Sequence, residues 1–464
     1  MNIHLCAICG MGMGSLAQLL RESGHRVGGS DAGPYPPMSD LLARLGVEVK
    51  IGFSPTHIPP DTELVVVGNA VRADNPEVQE TIRRGLRYLS FPAALEEMYL
   101  SRRTNVVVAG THGKTTCSSL IAWILTRAGL EPGFLIGGVL RNFGGSSASG
   151  RGPHFVVEGD EYHTAFFDRN PKFLHYRPSI GVLTSVDFDH ADIFSGLDAC
   201  KETFRRFAAL VPSSGTLVAC ADDPHVRGIA ADAPSASVAT YGFREGADWR
   251  LSGFEATAAG ARFTLSRRGG DRHLVESPLA GAHNARNAAA AFAAASALGV
   301  PPDTILQGIA SFQGVKRRQE VRGEARGVTV VDDFAHHPTE VRETIEALKG
   351  RYAGRRIWAV WEPRTNSSRR SFFQDEYPGA FLGADRVVVA GVFRAEQIEE
   401  TRRFSPQKLA ADLARRGVHA RYIERVDEIL AALLAECVPG DVVLIMSNGS
   451  FEDLHERLLA GLVG

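Results

Sequence analysis

The segment Asn105-Val-Val-Val-Ala-Gly-Thr-His-Gly-Lys-Thr-Thr116 decides the fold. Its β-branched apolar beginning, Asn105–Ala109, predicts a buried strand, and the residues after the second glycine predict a helix that continues to about Ala128. A buried strand that runs through a glycine loop into a helix is the repeating unit of a parallel α/β sheet. We therefore expect an α/β domain in which this segment provides one strand and the helix that follows it.

The loop in this segment has the composition of a phosphate cradle. Glycine backbone can approach a phosphate closely, and the free N–H groups of a helix N-terminus point at the anion. In such a loop Lys114 neutralises charge on the β- and γ-phosphates, and the Thr115 hydroxyl can reach Mg²⁺. Only two residues separate Gly110 from Gly113, fewer than in the G-x-x-x-x-G-K-[ST] spacing, so a chance Gly-Lys-Thr stays open as the alternative.

The same alternation of predicted strands and helices extends over the rest of the chain. Short β-branched runs alternate with amphipathic stretches, and at roughly 150 residues per domain a length of 464 predicts about three domains. Polar and glycine-rich segments place the domain boundaries near residues 102 and 312. The predicted fold class is α/β with a Rossmann-like N-terminal domain (1–102), a central P-loop domain (103–312) and a doubly wound C-terminal domain (313–464).

A second glycine-rich loop lies near the N-terminus. The strand predicted over Ile3–Cys9 leads into Gly10-Met-Gly-Met-Gly14, a helix over Ser15–Ser23 follows, and the next strand ends at Asp31. Glycines before a helix suit a phosphate, and an acidic residue further on suits a ribose hydroxyl. The domain is too short for the paired halves that hold a dinucleotide, so it predicts a site for one nucleotide moiety. The alternative is a tight strand–helix turn without a ligand.

Two further predicted strands are followed by potential metal ligands. The run His154–Val157 leads to Glu158, and Ile180–Val186 leads to Asp187-Phe-Asp-His190. Because the carboxyl ends of parallel strands meet at the ligand crevice, both segments should lie at the same edge as the phosphate loop. A carboxylate and an imidazole there can hold a metal that bridges nucleotide and substrate oxygens. Taken singly, each would more often be a solvated loop residue.

Polar segments at later positions extend the predicted crevice. His283-Asn-Ala-Arg-Asn287 opens an alanine-rich helix, where asparagine is often only a cap. Lys316-Arg-Arg-Gln319 lies at the second boundary, where an arginine can close on phosphates, although such a run is usually solvated. The histidines of Asp332-Asp-Phe-Ala-His-His-Pro338 are metal ligands or, because adjacent side chains diverge, hydrogen-bonding groups. Trp361–Asn366 and Met446–Ser450 also follow strands.

Charge and hydropathy exclude several classes of function. Lys and Arg number 51 against 53 Asp and Glu, so the chain lacks the basic excess that binding to nucleic acid or an anionic membrane needs. Apolar runs are all shorter than a membrane span, and the first residues lack the features of a signal peptide. We therefore expect a cytoplasmic protein that binds neither nucleic acid nor membrane.

The six cysteines predict neither a disulfide framework nor a zinc site. Only Cys6 and Cys9 form a C-x-x-C pair, and the sequence contains no second such pair or Cys/His cluster. Both are expected inside the first strand on opposite faces, whereas a redox pair has its first thiol at a helix N-terminus. The sequence favours buried, unreactive thiols.

Taken in chain order, these motifs resemble the Mur ligase family, the ATP-dependent amide-forming enzymes of bacterial cell-wall synthesis. The resemblance covers essentially the whole chain. It is carried by the N-terminal glycine loop, Gly110-Thr-His-Gly-Lys-Thr-Thr116, Glu158, Asp189-His190, His283-Asn-x-x-Asn287, Arg317-Arg318 and Asp332-Asp-Phe-Ala-His-His-Pro338.

The resemblance implies a reaction. Ser30–Met38, Glu158–Asp168, Lys172–Tyr176 and Glu362–Asn366 are similar to members that act on a preformed peptide. The implied enzyme joins UDP-N-acetylmuramate to the murein tripeptide L-alanyl-γ-D-glutamyl-meso-diaminopimelate through an acyl phosphate, in peptidoglycan recycling. The alternative within the family adds free L-alanine in de novo synthesis. Outside the family, a nicotinamide-dependent oxidoreductase leaves the Gly-Lys-Thr loop unexplained, and a regulatory ATP-binding module without chemistry is the third possibility.

The resemblance also implies roles for individual residues in a monomer or weak dimer. The implied catalytic residues are Lys114, Glu158, His190 and Arg318, with Thr115, Glu158 and His190 as ligands of two Mg²⁺ ions. ATP would be bound by Gly110, Thr111, His112, Gly113, Lys114, Thr115, Thr116, Asn284, Asn287, Arg318, Asp333 and His336. The UDP part would be bound by Gly10, Gly12, Met13, Gly14, Ser30, Asp31 and Asn69, and the peptide by Arg364 and Asn366.

Overall fold

The fold is α/β and is built on three sheets that follow one another along the chain. A computed structural model describes residues 1–189, 193–233 and 237–463. Each of the three domains has one mainly parallel sheet with helices packed against it, as the alternating pattern predicted. Proline begins several of the helices, where its missing N–H has no intrahelical partner to lose; these are Pro76, Pro224, Pro302, Pro338 and Pro406.

The N-terminal domain has a five-stranded parallel sheet in the order β3-β2-β1-β4-β5. Its strands are β1 (Asn2–Cys6), β2 (Arg26–Asp31), β3 (Val49–Ile51), β4 (Leu64–Val67) and β5 (Tyr88–Ser90). Its helices are α1 (Met11–Glu22), α2 (Met38–Arg44), α3 (Pro76–Arg83) and α4 (Phe91–Leu95).

Two boundaries in this domain differ from the prediction. The first strand ends at Cys6 instead of Cys9, and α1 begins at Met11 instead of Ser15. Most of the glycine loop is therefore the first turn of α1. Packing explains the glycine at position 14, because a Cβ atom there would stand 2.6 Å from the sulfur of Met38.

The central domain has a ten-stranded sheet in the order β17-β16-β15-β14-β13-β12-β6-β9-β7-β8, with β10 and β11 forming a separate hairpin. Its strands are β6 (Thr104–Ala109), β7 (Gly133–Leu140), β8 (Gly145–Ala148), β9 (His154–Gly159), β10 (His163–Ala165), β11 (Asp168–Pro171), β12 (Ile180–Leu183), β13 (Thr216–Cys220), β14 (Ser237–Gly242), β15 (Trp249–Thr257), β16 (Gly260–Arg267) and β17 (Arg272–Ser277). Its helices are α5 (Lys114–Arg127), α6 (Leu197–Ala209), α7 (Pro224–Ala231), α8 (Ala282–Ala297) and α9 (Pro302–Ala310).

The C-terminal domain has six strands in the order β18-β19-β23-β20-β21-β22, with β18 antiparallel to β19 and the other neighbours parallel. Its strands are β18 (Glu320–Ala325), β19 (Val328–Asp333), β20 (Ile357–Trp361), β21 (Arg386–Val389), β22 (His419–Tyr422) and β23 (Val442–Met446). Its helices are α10 (Pro338–Arg351), α11 (Tyr377–Ala380), α12 (Pro406–Arg415), α13 (Val426–Glu436) and α14 (Leu454–Val463).

The apolar cores are arranged unequally. One continuous cluster of buried side chains runs through the N-terminal and central domains, whereas the C-terminal domain has its own two clusters, one on each face of its sheet. The six cysteines are buried and free, as expected, although Cys9 lies beyond the end of β1. Within the described ranges, every helix is too short or too polar to cross a membrane.

Candidate active site

The phosphate loop leaves the middle of the central sheet. β6 lies between β9 and β12, and its last residue runs directly into Gly110. Gly110 and Gly113 have φ angles of +132° and +80°. A Cβ atom would stand 2.1 Å from Oγ1 of Thr184 at the first position and 2.6 Å from Oδ1 of Asn287 at the second. Both positions therefore require glycine, which fixes the path of the loop.

Lys114 begins α5, and its ammonium is enclosed by the loop. Nζ donates hydrogen bonds to the carbonyl oxygens of Gly110 (2.6 Å) and Thr111 (3.2 Å), and it lies 3.0 Å from Oε2 of Glu161. Burial disfavours the charged form, but the carboxylates of Glu161 and Asp160 outweigh it and raise the pKa of Lys114. The loop therefore holds a permanent positive charge beside its backbone N–H groups.

Glu158 lies on β9, next to the start of α5. Oε1 accepts a hydrogen bond from the Gly137 N–H at 2.9 Å, and the Thr115 side chain also hydrogen-bonds to this carboxyl group. Burial and the nearby Asp160 raise the pKa of Glu158. Gly137 permits this approach, because a Cβ atom there would be 3.2 Å from Oε2 of Glu158. A carboxylate and a hydroxyl side by side at the phosphate loop suit a hard divalent cation, whose charge would favour the ionised carboxylate.

A cleft lies between the phosphate loop and the C-terminal domain. It is lined by His112, Gly113, Thr115, Thr116, Asn284, Asn287, Arg318, Gln319, Asp333, Glu340, Glu343 and Thr344, among others. Eight of the twelve predicted ATP-binding residues thus share one cavity, although they come from distant parts of the sequence. Gly110, Thr111 and Lys114 lie in the loop itself, and His336 contacts Glu340 at the edge of the cleft.

The two predicted asparagines lie within α8 and do not cap it. Gly281 precedes the first helical residue, and Asn284 donates from Nδ2 to the carbonyl oxygen of Ala280 at 2.8 Å. Asn287 donates from Nδ2 to Oδ1 of Asn284 at 3.1 Å. Both side chains are nearly buried against the phosphate loop. The helix-cap alternative is therefore wrong, and the pair presents amide groups to the cleft.

The two adjacent arginines at the second boundary have different environments. Arg317 is bound within the C-terminal domain: Nη2 donates to the Gly449 carbonyl at 2.7 Å, and Nε lies 3.5 Å from Asp332. Arg318 lines the cleft, where its guanidinium lies 5.0 Å from the centre of the Phe334 ring. Its charge opposes the effect of burial on Asp333, whose pKa is nevertheless raised to about 6.

A charged network joins the loop to the C-terminal domain. Nδ1 of His112 lies 3.3 Å from Oε1 of Glu340, and Nδ1 of His336 lies 3.1 Å from Oε2 of the same carboxylate. On the other side of the ring, Nε2 of His112 lies 3.0 Å from Oδ2 of Asp187. Burial alone would lower the pKa of His112, but hydrogen bonds to Asp187 and Glu340 raise it to about 10. His112 is therefore an imidazolium held between two carboxylates of different domains.

His337 is the neutral member of this network. Its Nδ1 accepts the Thr339 N–H at 3.3 Å as the cap of α10, and its Nε2 lies 3.2 Å from the carbonyl oxygen of Phe188. Burial and the neighbouring charge of His112 lower the pKa of His337 to about 4. His337 thus acts through hydrogen bonds, one of the two alternatives left open by the sequence. The predicted metal ligand His190 lies outside the described residues.

The predicted UDP-binding residues lie at one edge of the N-terminal sheet. Gly10 follows β1, Asp31 ends β2 and the exposed Asn69 follows β4, and these three strands are neighbours. Asp31 anchors the glycine segment by accepting the Cys9 N–H at 2.9 Å. Ser30 is fully buried and donates its hydroxyl proton inward to Glu77. Gly12, Met13 and Gly14 belong to α1, where Gly12 faces the Phe91 ring.

The two predicted peptide-binding residues follow β20. The Arg364 guanidinium stacks 3.7 Å from the centre of the Phe393 ring, and Nη1 lies 3.3 Å from Oε1 of Glu362. Gly449 leaves room for it, since a Cβ atom there would overlap the guanidinium. Asn366 is exposed and accepts a hydrogen bond from Arg369 at 3.0 Å. Both side chains stand at the rim of the C-terminal sheet.

Several residues of the site were not predicted. Glu161 pairs with Lys114, while Glu340 and Asp187 hold the loop histidine. Glu161 and Asp187 lie in the polar segments that follow two predicted strands, so their position after a strand was the available signal. Glu340 carries no such signal, because an acidic residue in the first turn of a helix is common for electrostatic reasons alone.

Comparison with known families accounts for most of the chain. The Mur ligase family catalytic domain matches residues 2–103, the Mur ligase middle domain matches 108–295 and the Mur ligase glutamate ligase domain matches 317–449. The phosphate loop lies in the second match and faces the third across the cleft. Fold and site together define an ATP-dependent ligase.

Individual relatives match over the full length. The UDP-N-acetylmuramate--L-alanyl-gamma-D-glutamyl-meso-2,6-diaminoheptandioate ligase of Escherichia coli is 38% identical, over 100% of this chain and 98% of that protein. The UDP-N-acetylmuramate--L-alanine ligase of Halorhodospira halophila is 37% identical, over 99% and 93%. The crystal structure of a murein peptide ligase from Psychrobacter arcticus has a TM-score of 0.75 at 35% identity, over 100% and 99%. The chain therefore belongs to the Mur ligase family.

Proposed function

We propose that this ligase joins UDP-N-acetylmuramate to the tripeptide L-alanyl-γ-D-glutamyl-meso-diaminopimelate at the expense of ATP, in peptidoglycan recycling. The observation that carries the proposal is the cleft in which the phosphate loop of the central domain faces Arg318 and Asp333 of the C-terminal domain. The name of the Escherichia coli relative, which matches the whole chain, supplies the substrates. Addition of free L-alanine is the second candidate, because relatives with that activity are also more than 30% identical.

The nucleotide would occupy this cleft with its phosphates on the loop. The N–H groups at the start of α5 and the Lys114 ammonium bind the phosphate tail, and Arg318 approaches it from the other domain. Asn284, Asn287 and Asp333 supply amide and carboxylate groups for the rest of the nucleotide. Glu158 and Thr115 are the described residues that fit Mg²⁺, which would neutralise phosphate charge there.

The chemistry requires an activated carboxylate. A carboxylate does not condense with an amine unaided, because its oxygen is a poor leaving group. In the proposed reaction the lactyl carboxylate of UDP-N-acetylmuramate attacks the γ-phosphorus of ATP, giving an acyl phosphate and ADP. The free L-alanyl amine then attacks the acyl carbon, the amide bond forms, and inorganic phosphate leaves with the carboxylate oxygen. Lys114 and Arg318 contribute by positioning the reactants and stabilising the developing charge.

Each domain would contribute one substrate site. The UDP moiety lies at the strand ends that carry Gly10, Asp31 and Asn69, and Ser30 supports that edge from below. The peptide carboxylates lie near Arg364 and Asn366. We place the domain boundaries near residues 102 and 312, so that closure about them assembles the three sites. We further propose that the protein works in the cytoplasm, where these substrates are made available, as a monomer or weak dimer.

Replacement of the loop lysine tests the proposal. Lys114→Ala should lower tripeptide-dependent ADP release by about 10³-fold, because the loop loses the charge that stabilises the transferring phosphoryl group. Lys349→Ala is the matched control, since this exposed lysine pairs with Asp385 on the surface. An unchanged rate in Lys114→Ala would contradict the assignment.

Product analysis separates the two candidate substrates. Purified protein is incubated with UDP-N-acetylmuramate, MgATP and either the tripeptide or L-alanine, and the products are identified by mass spectrometry. We expect a product increased by the mass of the tripeptide less water, with kcat/KM at least tenfold above that for L-alanine. A larger kcat/KM for L-alanine would establish the second candidate instead.

A further inference from the structure

A buried cluster of side chains that can bind a metal lies in the N-terminal domain, away from the ATP cleft. His4 and Cys6 are two residues apart on β1 and therefore share one face of the strand. Glu77 lies in the first turn of α3, and its side chain points at both of them. The three residues are at most 2% exposed. Sequence spacing could not show this cluster, because Glu77 lies 71 residues beyond Cys6.

The donor atoms are close enough for one ion. One nitrogen of His4, the sulfur of Cys6 and one oxygen of Glu77 all lie within 4.8 Å of one another. Nε2 of His4 is 3.0 Å from Oε2 of Glu77, and Nδ1 of His57 is 3.2 Å from Oε1 of the same carboxylate. His57 is 20% exposed and contacts the other oxygen of Glu77, outside the group of three residues whose donor atoms all lie within 4.8 Å of one another.

The chemistry of this set favours a borderline-soft divalent cation. Thiolate, imidazole and carboxylate together are the ligands of tetrahedral zinc, whereas Mg²⁺ prefers oxygen alone. One thiolate, one carboxylate and one neutral imidazole around a divalent ion sum to zero charge, which suits a buried position. Burial and the nearby Glu77 carboxylate raise the pKa of the Cys6 thiol.

We propose that His4, Cys6 and Glu77 bind one Zn²⁺ ion, in a site separate from the Mg²⁺ site of the ATP cleft. The ion links β1 to the start of α3, and His57 of the short helical turn Pro55–His57 contacts the same Glu77 carboxylate. The Cys6 thiol gives up its proton to solvent when it binds. Ser30 donates to the same Glu77 carboxylate, so the metal stiffens the strand end at which the UDP moiety is proposed to bind.

Metal analysis provides the test. The full-length protein, purified without chelators, is dialysed against Zn²⁺ and then against buffer, and its zinc content is measured by plasma mass spectrometry. We expect one zinc per chain in the wild type and less than 0.2 in Cys6→Ala. Cys9→Ala is the matched control, since Cys9 is also buried and lies three residues away, and it should retain the full content. Equal loss in both variants, or wild-type protein without zinc, would overturn the proposal.

Cobalt substitution keeps the test decisive if Cys6→Ala does not fold. Co²⁺ bound through a thiolate gives a charge-transfer band in the near ultraviolet and visible bands typical of four-coordination. The wild-type chain should show both, and His4→Gln, which leaves the thiol in place, should weaken Co²⁺ binding at least tenfold while the chain stays folded by circular dichroism. Co²⁺ binding without a thiolate band, or unaffected by His4→Gln, would exclude this ligand set.

Discussion

The two interfaces of the central domain are built from different interactions. Toward the C-terminal domain several polar contacts involve a charged group, such as His112 with Glu340 and Asp189 with the Ser367 hydroxyl at 2.8 Å. Toward the N-terminal domain the buried hydroxyls of Ser15 and Ser146 form a neutral hydrogen bond at 2.7 Å. In the ion pair between Arg177 and Glu96 on that side, the arginine side chain is 70% exposed.

The apolar cores follow the same division. The cluster that fills the central domain continues into the N-terminal domain, where Tyr99 packs 6.3 Å from the Phe155 ring. The C-terminal domain keeps its own cores, against which Phe188 of the central domain packs, and polar groups such as Asp187 with Thr339 also join the two domains. A continuous apolar core resists separation, whereas charged contacts depend on protonation and can be exchanged for contacts with a ligand. The C-terminal domain is therefore the one that we expect to open and close over the nucleotide.

Removing the Glu340 carboxylate, which two histidines share, should weaken the interface with the C-terminal domain more than any other change. Glu340→Gln removes the carboxylate that both His112 and His336 contact. Because a buried ion pair is broken, the free energy that holds the two domains together should fall by about 3 kcal/mol. We expect kcat/KM for ATP to fall about 100-fold, and the C-terminal domain to become more susceptible to limited proteolysis near residue 312. Glu346→Gln, at an exposed position on α10, is the control and should match the wild type. A wild-type rate in Glu340→Gln would show that the network does not hold the domains in their working arrangement.

Lowering the pH should destabilise the same interface, with an effect on stability of intermediate size. The pKa of His337 is about 4 in the folded chain against 6.5 for an ordinary histidine, so between these values the unfolded state takes up a proton that the folded state excludes. Stability is therefore lost as pH falls from 6.5 to 4, by up to about 3 kcal/mol. His112 has the opposite sign: its contribution is complete below pH 6.5 and is lost as pH rises through about 10.

Urea unfolding across this pH range checks the assignment to His337. His337→Asn keeps a side chain that can cap α10 but does not titrate, so its midpoint should fall less than that of the wild type between pH 6.5 and 4. Parallel curves for the two proteins would place the acid sensitivity elsewhere.

The contrast between the interfaces also explains what could be predicted. Local sequence determines a strand, a glycine loop and a helix, so the path from β6 through Gly113 into α5 and the family itself were confirmed. The predicted ends of the first strand and helix were wrong, since Ala7 directly after β1 has a φ of +62°, which leaves the extended conformation of a strand. The residue roles stay predictions, although the structure brings most of the ATP set into one cleft.

What sequence could not show depends on pairing across long separations. Glu340 meets His112 only when the first turn of α10 lies against the phosphate loop, and Glu77 meets Cys6 only when the first turn of α3 lies beside β1. Glu77 and Glu340 both lie in the first turn of a helix, where acidic residues are common because they interact favourably with the helix dipole. Their sequence context therefore does not distinguish them from ordinary surface residues. Such contacts become visible only through the fold.

The neutral interface should respond least. Ser146→Ala removes one hydroxyl partner of Ser15, which keeps its hydrogen bond to the Met11 carbonyl at 2.8 Å, so the loss of stability should be about 1 kcal/mol. Because the apolar core still joins the two domains, we expect kcat for the ligation to stay within about twofold of wild type. The pH dependence of unfolding should run parallel to that of the wild type, since neither hydroxyl titrates in this range. A changed acid slope in Ser146→Ala would mean that the N-terminal interface also depends on charge, and that the two interfaces do not differ in kind.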